Sequence, residues 1–129
     1  LGGICGYSTR FTSPSASNSL RYLVDNTLYI SGQFSHDAEG NFVGAGDIQA
    51  QMTQTLKNLD TVLQEFGATK DNLAYVELYL TNAQEHGETA IELFKKYVGE
   101  HRPAGSMIGV TYLAFPEQWV EVRAVAHVG

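Results

Sequence analysis

Residues 120–128, VEVRAVAHV, alternate with a period of two. Val120, Val122, Ala124, Ala126 and Val128 project to one side of a strand, and Glu121, Arg123, Val125 and His127 to the other. LAYVELYL at 73–80 repeats the pattern, with Ala74, Val76, Leu78 and Leu80 on one face and Tyr75, Glu77 and Tyr79 on the other. LRYLVDNTLYIS at 20–31 reads as two short strands around Asp25-Asn26, with Asn26 suited to the positive φ of a tight turn. HDAEGNFVGAG at 36–46 is turn-rich, with a short extended piece at Phe42-Val43. Then the period lengthens. Ile48, Met52, Leu56, Leu59, Leu63 and Phe66 recur at helical spacing between a capping Asp47 and a stop at Gly67. A second helix is expected over 84–98, with Ile91, Phe94, Tyr97 and Val98 as its stripe. Lys95 and Lys96 suit its C-terminal dipole, and Gly99 ends it. A strand near 106–113 and a turn at Phe115-Pro116 lead into the closing strand.

The order β-β-α-β-α-β-β predicts an α+β domain over 20–129, with two helices packed on one face of a mixed sheet. Residues 1–19 read as an N-terminal extension that can include residues foreign to the domain. Leu28, Ile30, Val76, Leu78, Val122 and Ala124 would lie under the helices. That leaves Tyr29, Tyr75, Glu77, Tyr79, Glu121, Arg123 and His127 on the uncovered face. Such a face is too aromatic for water and too charged for a dry core. Interfaces favour Tyr and Arg, so the pattern predicts a homo-oligomer with sites between subunits.

Composition narrows the function. The chain has 129 residues, 43% hydrophobic and 17% charged, which suits one globular domain. No apolar run approaches the ~20 residues of a membrane span, and no basic segment followed by an apolar one suggests a secretory signal. The single Cys5 cannot pair within the chain, which fits a reducing cytosol and a cytoplasmic location. A net charge of −6, with Lys95-Lys96 the one basic cluster, argues against nucleic acid as a partner. Isolated basic residues can still serve a small anionic metabolite.

Glu121 is the candidate acid or base, since partial burial brings a carboxyl towards working pH; the alternative is an ion pair with Arg123 or a neighbouring subunit. Arg123 can fork onto a substrate carboxylate or form a cross-strand ion pair. His127 reads as a surface or interface residue. His36, His86 and His101 match no zinc spacing, so no metal or other cofactor is assigned. Cys5 lacks a histidine in sequence reach. Gly44 and Gly46 precede a helix, but neither phosphate-loop motif is present. Tyr29, Tyr75 and Tyr79 suit interface packing, ligand stacking in a cleft, or both.

Four stretches together resemble the Rid superfamily, also called YjgF/YER057c/UK114. They are LYISGQF at 28–34, DIQAQMTQTLKNLDTVLQEFGATKDNL at 47–73, GEHRPAGSMIGV at 99–110 and VEVRAVAH at 120–127. SGQ after the second strand and H-R-P-A before the fourth are the most specific pieces. The resemblance implies a chorismate-mutase-like fold, a homotrimer and three intersubunit ligand clefts. The best-known branch hydrolyses reactive enamines and imines to keto acids and ammonia. Some members are also labelled translation inhibitors or endoribonucleases.

Carried over residue by residue, the resemblance keeps the acid and loses the clamp. Glu121 matches the first Glu of the family's closing E-x-E, thought to position the hydrolytic water; the second is Arg123 here. The deaminase branch has P-A-R followed by Ser or Thr where this chain has Pro103-Ala104-Gly105-Ser106, so the arginine that holds the substrate carboxylate is missing. A second-helix Asn aligns with Ile91, and the family's G-P-Y near the first strand has no clear counterpart. A desolvated Arg–carboxylate pair contributes roughly 1.5–3 kcal/mol, so its loss costs at least about tenfold in affinity for a 2-imino acid.

Catalysis is therefore assigned to Glu121, and substrate binding to Gly105, Ser106, Met107, Arg123, Tyr29 and Ile91. Backbone N–H groups around Gly105–Met107 would stabilise developing charge. Either Arg123 supplies the missing cation, or the ligand lacks the carboxylate or uses the space at Gly105. The expected function is a hydrolytic deaminase of imine- or enamine-type compounds with altered substrate range. The alternatives are a non-catalytic ligand-binding trimer and, last, an endoribonuclease.

Overall fold

Burial follows the alternation read above. Leu28, Ile30, Val76, Leu78, Val122 and Ala124 are each no more than 3% exposed in the computed structural model, which describes residues 20–129. The elements are β1 (Arg21–Val24), β2 (Thr27–Gln33), α1 (Ile48–Glu65), a one-turn 3-10 helix (Lys70–Asn72), β3 (Leu73–Thr81), α2 (Ala83–Val98), β4 (Ala104–Val110) and β5 (Val120–His127). The sheet order is β1-β2-β5-β3-β4, with β3 and β4 parallel and the other neighbours antiparallel. Both helices cover one face, α1 over β2 and β5, α2 over β3 and β4. The α+β architecture is the expected one.

Asp47 caps α1 by accepting from the Ala50 N–H, and Met52, Leu56, Leu59 and Leu63 form its buried ridge. On α2 the stripe shifts. The buried residues are His86, Gly87, Ala90 and Val98, whereas Ile91, Phe94 and Tyr97 are only partly covered. Small residues on the inner ridge let α2 approach the sheet closely. A Cβ added at Gly87 would come within 3.0 Å of the Met107 methyl.

Three local expectations are corrected. Positive φ in the first turn falls on Asp25, at 51°, and not on Asn26. Ala74 is exposed and Leu73 takes its place in the core, because β3 carries an extra residue opposite Val125 and Ala126. The fourth strand spans Ala104–Val110, two residues earlier than its pattern suggested at the start, and residues 111–113 leave the sheet. β4 is an edge strand beside the tyrosine-bearing β3, so its residues are largely exposed and the inside–outside contrast that marks register is weak.

β2 is also irregular. Its register against β5 shifts between Ile30 and Gln33, so Ser31 and Gly32 together occupy the space opposite Arg123. That bulge shapes the candidate site. The assigned N-terminal extension, 1–19, lies outside the described residues.

Candidate functional site

The acid sits at the start of β5, where a buried amide fixes the preceding turn. Gln51 on α1 is fully buried; its Nε2 donates to the Gly44 and Glu117 carbonyls at 3.0 and 3.1 Å. Its Oε1 accepts from the Trp119 N–H at 2.9 Å. Glu117 and Trp119 are thus held to α1 on either side of Gln118. Gln118 is itself 1% exposed, and its Nε2 donates to Glu121 Oε1 at 3.1 Å and to the Val120 carbonyl at 3.2 Å. On the other side of the carboxylate lies Gly32, where an added Cβ would stand 1.9 Å from Glu121 Oε2. Only a glycine leaves that space. Glu121 is half-buried on the open face, and among the described residues it pairs with no cation.

The neighbouring cluster explains why. Arg123 and Glu77 face each other in the β5–β3 register, and the Arg123 guanidinium donates to Glu77 Oε1 through Nε, at 2.9 Å, and through a terminal nitrogen. Two hydroxyls converge on the same carboxylate, Tyr79 at 2.6 Å and Tyr75 at 3.0 Å. The Tyr79 hydroxyl, then the Arg123 guanidinium, hold the Glu77 carboxyl below its ordinary value. The same Glu77 bond raises the Tyr79 phenol. Arg123 also lies over the Tyr79 ring, 5.6 Å from its centroid. Beside this cluster is an open pocket of about 260 Å³ lined by Tyr29, Ser31, Tyr75, Glu77, Arg123 and Val125.

The other assigned residues divide between the two faces. Ser106 stands opposite Glu77 in register and shares the open face with Tyr29, Arg123 and Glu121. Gly105 and Met107 lie opposite Val76 and Leu78, on the helix side, and Ile91 packs there against the core from α2. Position 105 offers no vacant volume, since a Cβ there would meet the Val76 carbonyl oxygen at 2.1 Å. His127 is exposed at the far end of β5, opposite Thr27. Among the described residues, no group of His, Cys, Asp and Glu is placed to hold a metal ion, and no helix is long and apolar enough to cross a membrane.

Gln118 and the close approach of Gly32 were not legible as site features. A single buried glutamine in a turn leaves no periodic trace. SGQ at 31–33 marked Gly32 only as part of a family motif.

Residues 12–128 match the family model described as Endoribonuclease L-PSP. The chain belongs to the Rid superfamily. This Rid chain is similar to a RutC family protein of Pyrococcus abyssi, at 26% identity over 121 residues and 94% of each chain. Among solved structures it resembles the Rid family protein YyfA of Yersinia pestis, of unknown function, with a TM-score of 0.82 and 27% identity over 92% of this chain and 97% of that one. YyfB from the same organism, also of unknown function, aligns with a TM-score of 0.72 and 34% identity over 85% and 84%.

Proposed function

We propose that this Rid-family chain is a subunit of a small-molecule hydrolase, a hydrolytic deaminase of imine- or enamine-type compounds with an altered substrate range. One observation carries the reading: Glu121 is half-buried, free of any cation among the described residues, and oriented by an amide at Oε1. A carboxylate so placed accepts a proton from water as the water oxygen bonds to the imine carbon. The C=N π pair moves to nitrogen. Glu121 returns that proton to the nitrogen, giving a carbinolamine; the hydroxyl proton then passes through Glu121 to the nitrogen as the oxygen pair forms the carbonyl, the C–N bond breaks and ammonia leaves.

The altered range follows from the missing clamp. Gly105 carries no side chain, and among the described residues Arg123, the cation of the open face, is engaged by Glu77. Imines without a carboxylate are the better substrates. The exposed Tyr29 and Tyr75, 50% and 36% accessible, support a homotrimer that covers this face and closes clefts between subunits. Sedimentation should then give three times the 14.1 kDa chain mass. The single cysteine supports a cytoplasmic location.

The test is ammonia release from imines made in situ by an amine oxidase (no carboxylate) or an amino-acid oxidase (carboxylate-bearing). Turnover of the first set, lost in Glu121→Gln, is the expected result; turnover unaffected by that substitution refutes the mechanism. Silence on both sets favours a second reading, a ligand-binding trimer without chemistry, which the engagement of Arg123 by Glu77 supports. An endoribonuclease role has the family description behind it, but a net charge of −6 stands against it.

A further inference from the structure

We infer that Gln118 is a positioning residue for Glu121. The inference rests on Glu121 acting on water as proposed above. The amide orientation is unambiguous, because both atoms near Nε2, Glu121 Oε1 at 3.1 Å and the Val120 carbonyl at 3.2 Å, are acceptors. That leaves Gln118 Oε1 buried with no hydrogen-bond partner among the described residues. A buried acceptor without a donor is costly, and an apolar side chain of the same length would fill the site without it. Packing alone therefore does not account for a glutamine at this position. Its useful group is the N–H pair turned towards Glu121.

The support behind Gln118 is equally specific. Gln51 grips the Glu117 carbonyl at 3.1 Å and the Trp119 N–H at 2.9 Å, so the backbone on both sides of Gln118 is tied to α1. The donor thus stands on a turn tied to α1 and reaches Glu121 on the open face. Gly32 leaves the space in which the second carboxylate oxygen lies. Amide on one side and glycine on the other define one carboxylate position, with Oε1 engaged and Oε2 left for a proton.

The experiment compares wild type, Gln118→Met, Gln118→Glu and Glu121→Gln in steady-state hydrolysis of the carboxylate-free imines, with thermal unfolding and a crystal structure of Gln118→Met. In Gln118→Met, kcat should fall at least about tenfold with KM within about twofold. Its melting temperature should stay within about 3 °C of wild type, because the lost bonds are offset by removal of the unpaired acceptor. Gln118→Glu can donate only when protonated, so its kcat relative to wild type should rise as pH falls. An unchanged kcat in Gln118→Met overturns the inference. So does a melting temperature lowered by more than about 5 °C with kcat and KM moving together, which marks a purely structural residue. If wild type hydrolyses no imine, the functional reading fails separately, and the crystal structure decides. A Glu121 carboxylate unmoved in Gln118→Met refutes positioning, and a displaced one supports it.

Discussion

Gly32→Ala separates the site from the fold. An ideal Cβ at Gly32 would stand 1.9 Å from Glu121 Oε2, 2.5 Å from Cδ and 2.9 Å from Cγ, so its three nearest neighbours all belong to one side chain. The Gly32 backbone lies outside the left-handed region, so alanine itself fits there. The relief is a rotation of Glu121 away from Gln118. The stability cost is the charge-assisted bond to Gln118, about 1.5–3 kcal/mol at most, offset by about 0.4–1 kcal/mol from the lower chain entropy of alanine. A net loss of about 1–2 kcal/mol corresponds to a melting temperature lower by roughly 3–10 °C in a domain of this size. The effect on turnover should be far larger. A displaced general base forfeits a contribution of about 10²–10⁴ in rate. Ammonia release and thermal unfolding, measured on the same preparation, test the two magnitudes together. A folded Gly32→Ala protein with near wild-type kcat would refute the placement of Glu121 as the working acid.

Gly105→Ala should behave in the opposite way. Its Cβ would meet a backbone atom, the Val76 carbonyl oxygen at 2.1 Å, so β4 must shift from β3, at a cost of about 1–3 kcal/mol read as a lower denaturant midpoint. A midpoint equal to or above wild type contradicts this. Glu77 is held below its ordinary 4.5, first by Tyr79 and then by Arg123, so its contribution is present above pH 4.5 and is lost as pH falls through the lower folded value. Glu77→Gln should therefore flatten the acid limb of the stability curve, and parallel limbs would refute the assignment. Burial, then the bond to Asp60, raises the Tyr97 phenol well above its ordinary 10. The stabilisation from keeping it protonated is full below pH 10 and is lost as pH climbs above it. In an ultraviolet titration Tyr97→Phe should remove a phase that ionises well above pH 10, and an unchanged high-pH phase would refute the assignment.

The sheet and both helices were legible because burial imposes period. Leu28, Ile30, Val122 and Ala124 declare a strand face in any register, and Ile48 through Leu63 a helix face. Bulges are not periodic. Ala74 moved out of the core, and Ser31-Gly32 opened the space beside Glu121, through single extra residues that no alternation announces. Pairing partners were hidden for a related reason. Glu121 and Arg123 sit two apart on one strand, about 6.8 Å along it, and read as natural partners. Register places Glu77 directly opposite Arg123, where cross-strand neighbours stand about 4.5–5.5 Å apart. The nearer acid takes the guanidinium.

Under the proposed deaminase function, that competition makes Glu77 a determinant of which substrates are accepted. With Arg123 bonded to Glu77 and stacked on Tyr79, the open face keeps one unpaired charge among the described residues, the Glu121 carboxylate, and repels anionic ligands. Glu77→Gln removes the charge that restrains Arg123 while leaving Tyr75 and Tyr79 as walls. The guanidinium, on a side chain 57% exposed, then becomes available to a substrate carboxylate. The ratio of kcat/KM for carboxylate-bearing to carboxylate-free imines should rise about tenfold or more, the scale of one charge-assisted contact. A freed Arg123 can instead turn to Glu121 and lower turnover on both sets, and the ratio still distinguishes the two effects. If the ratio stays at the wild-type value while either rate remains measurable, the Arg123–Glu77 pair is not what excludes anions, and selectivity must come from other groups.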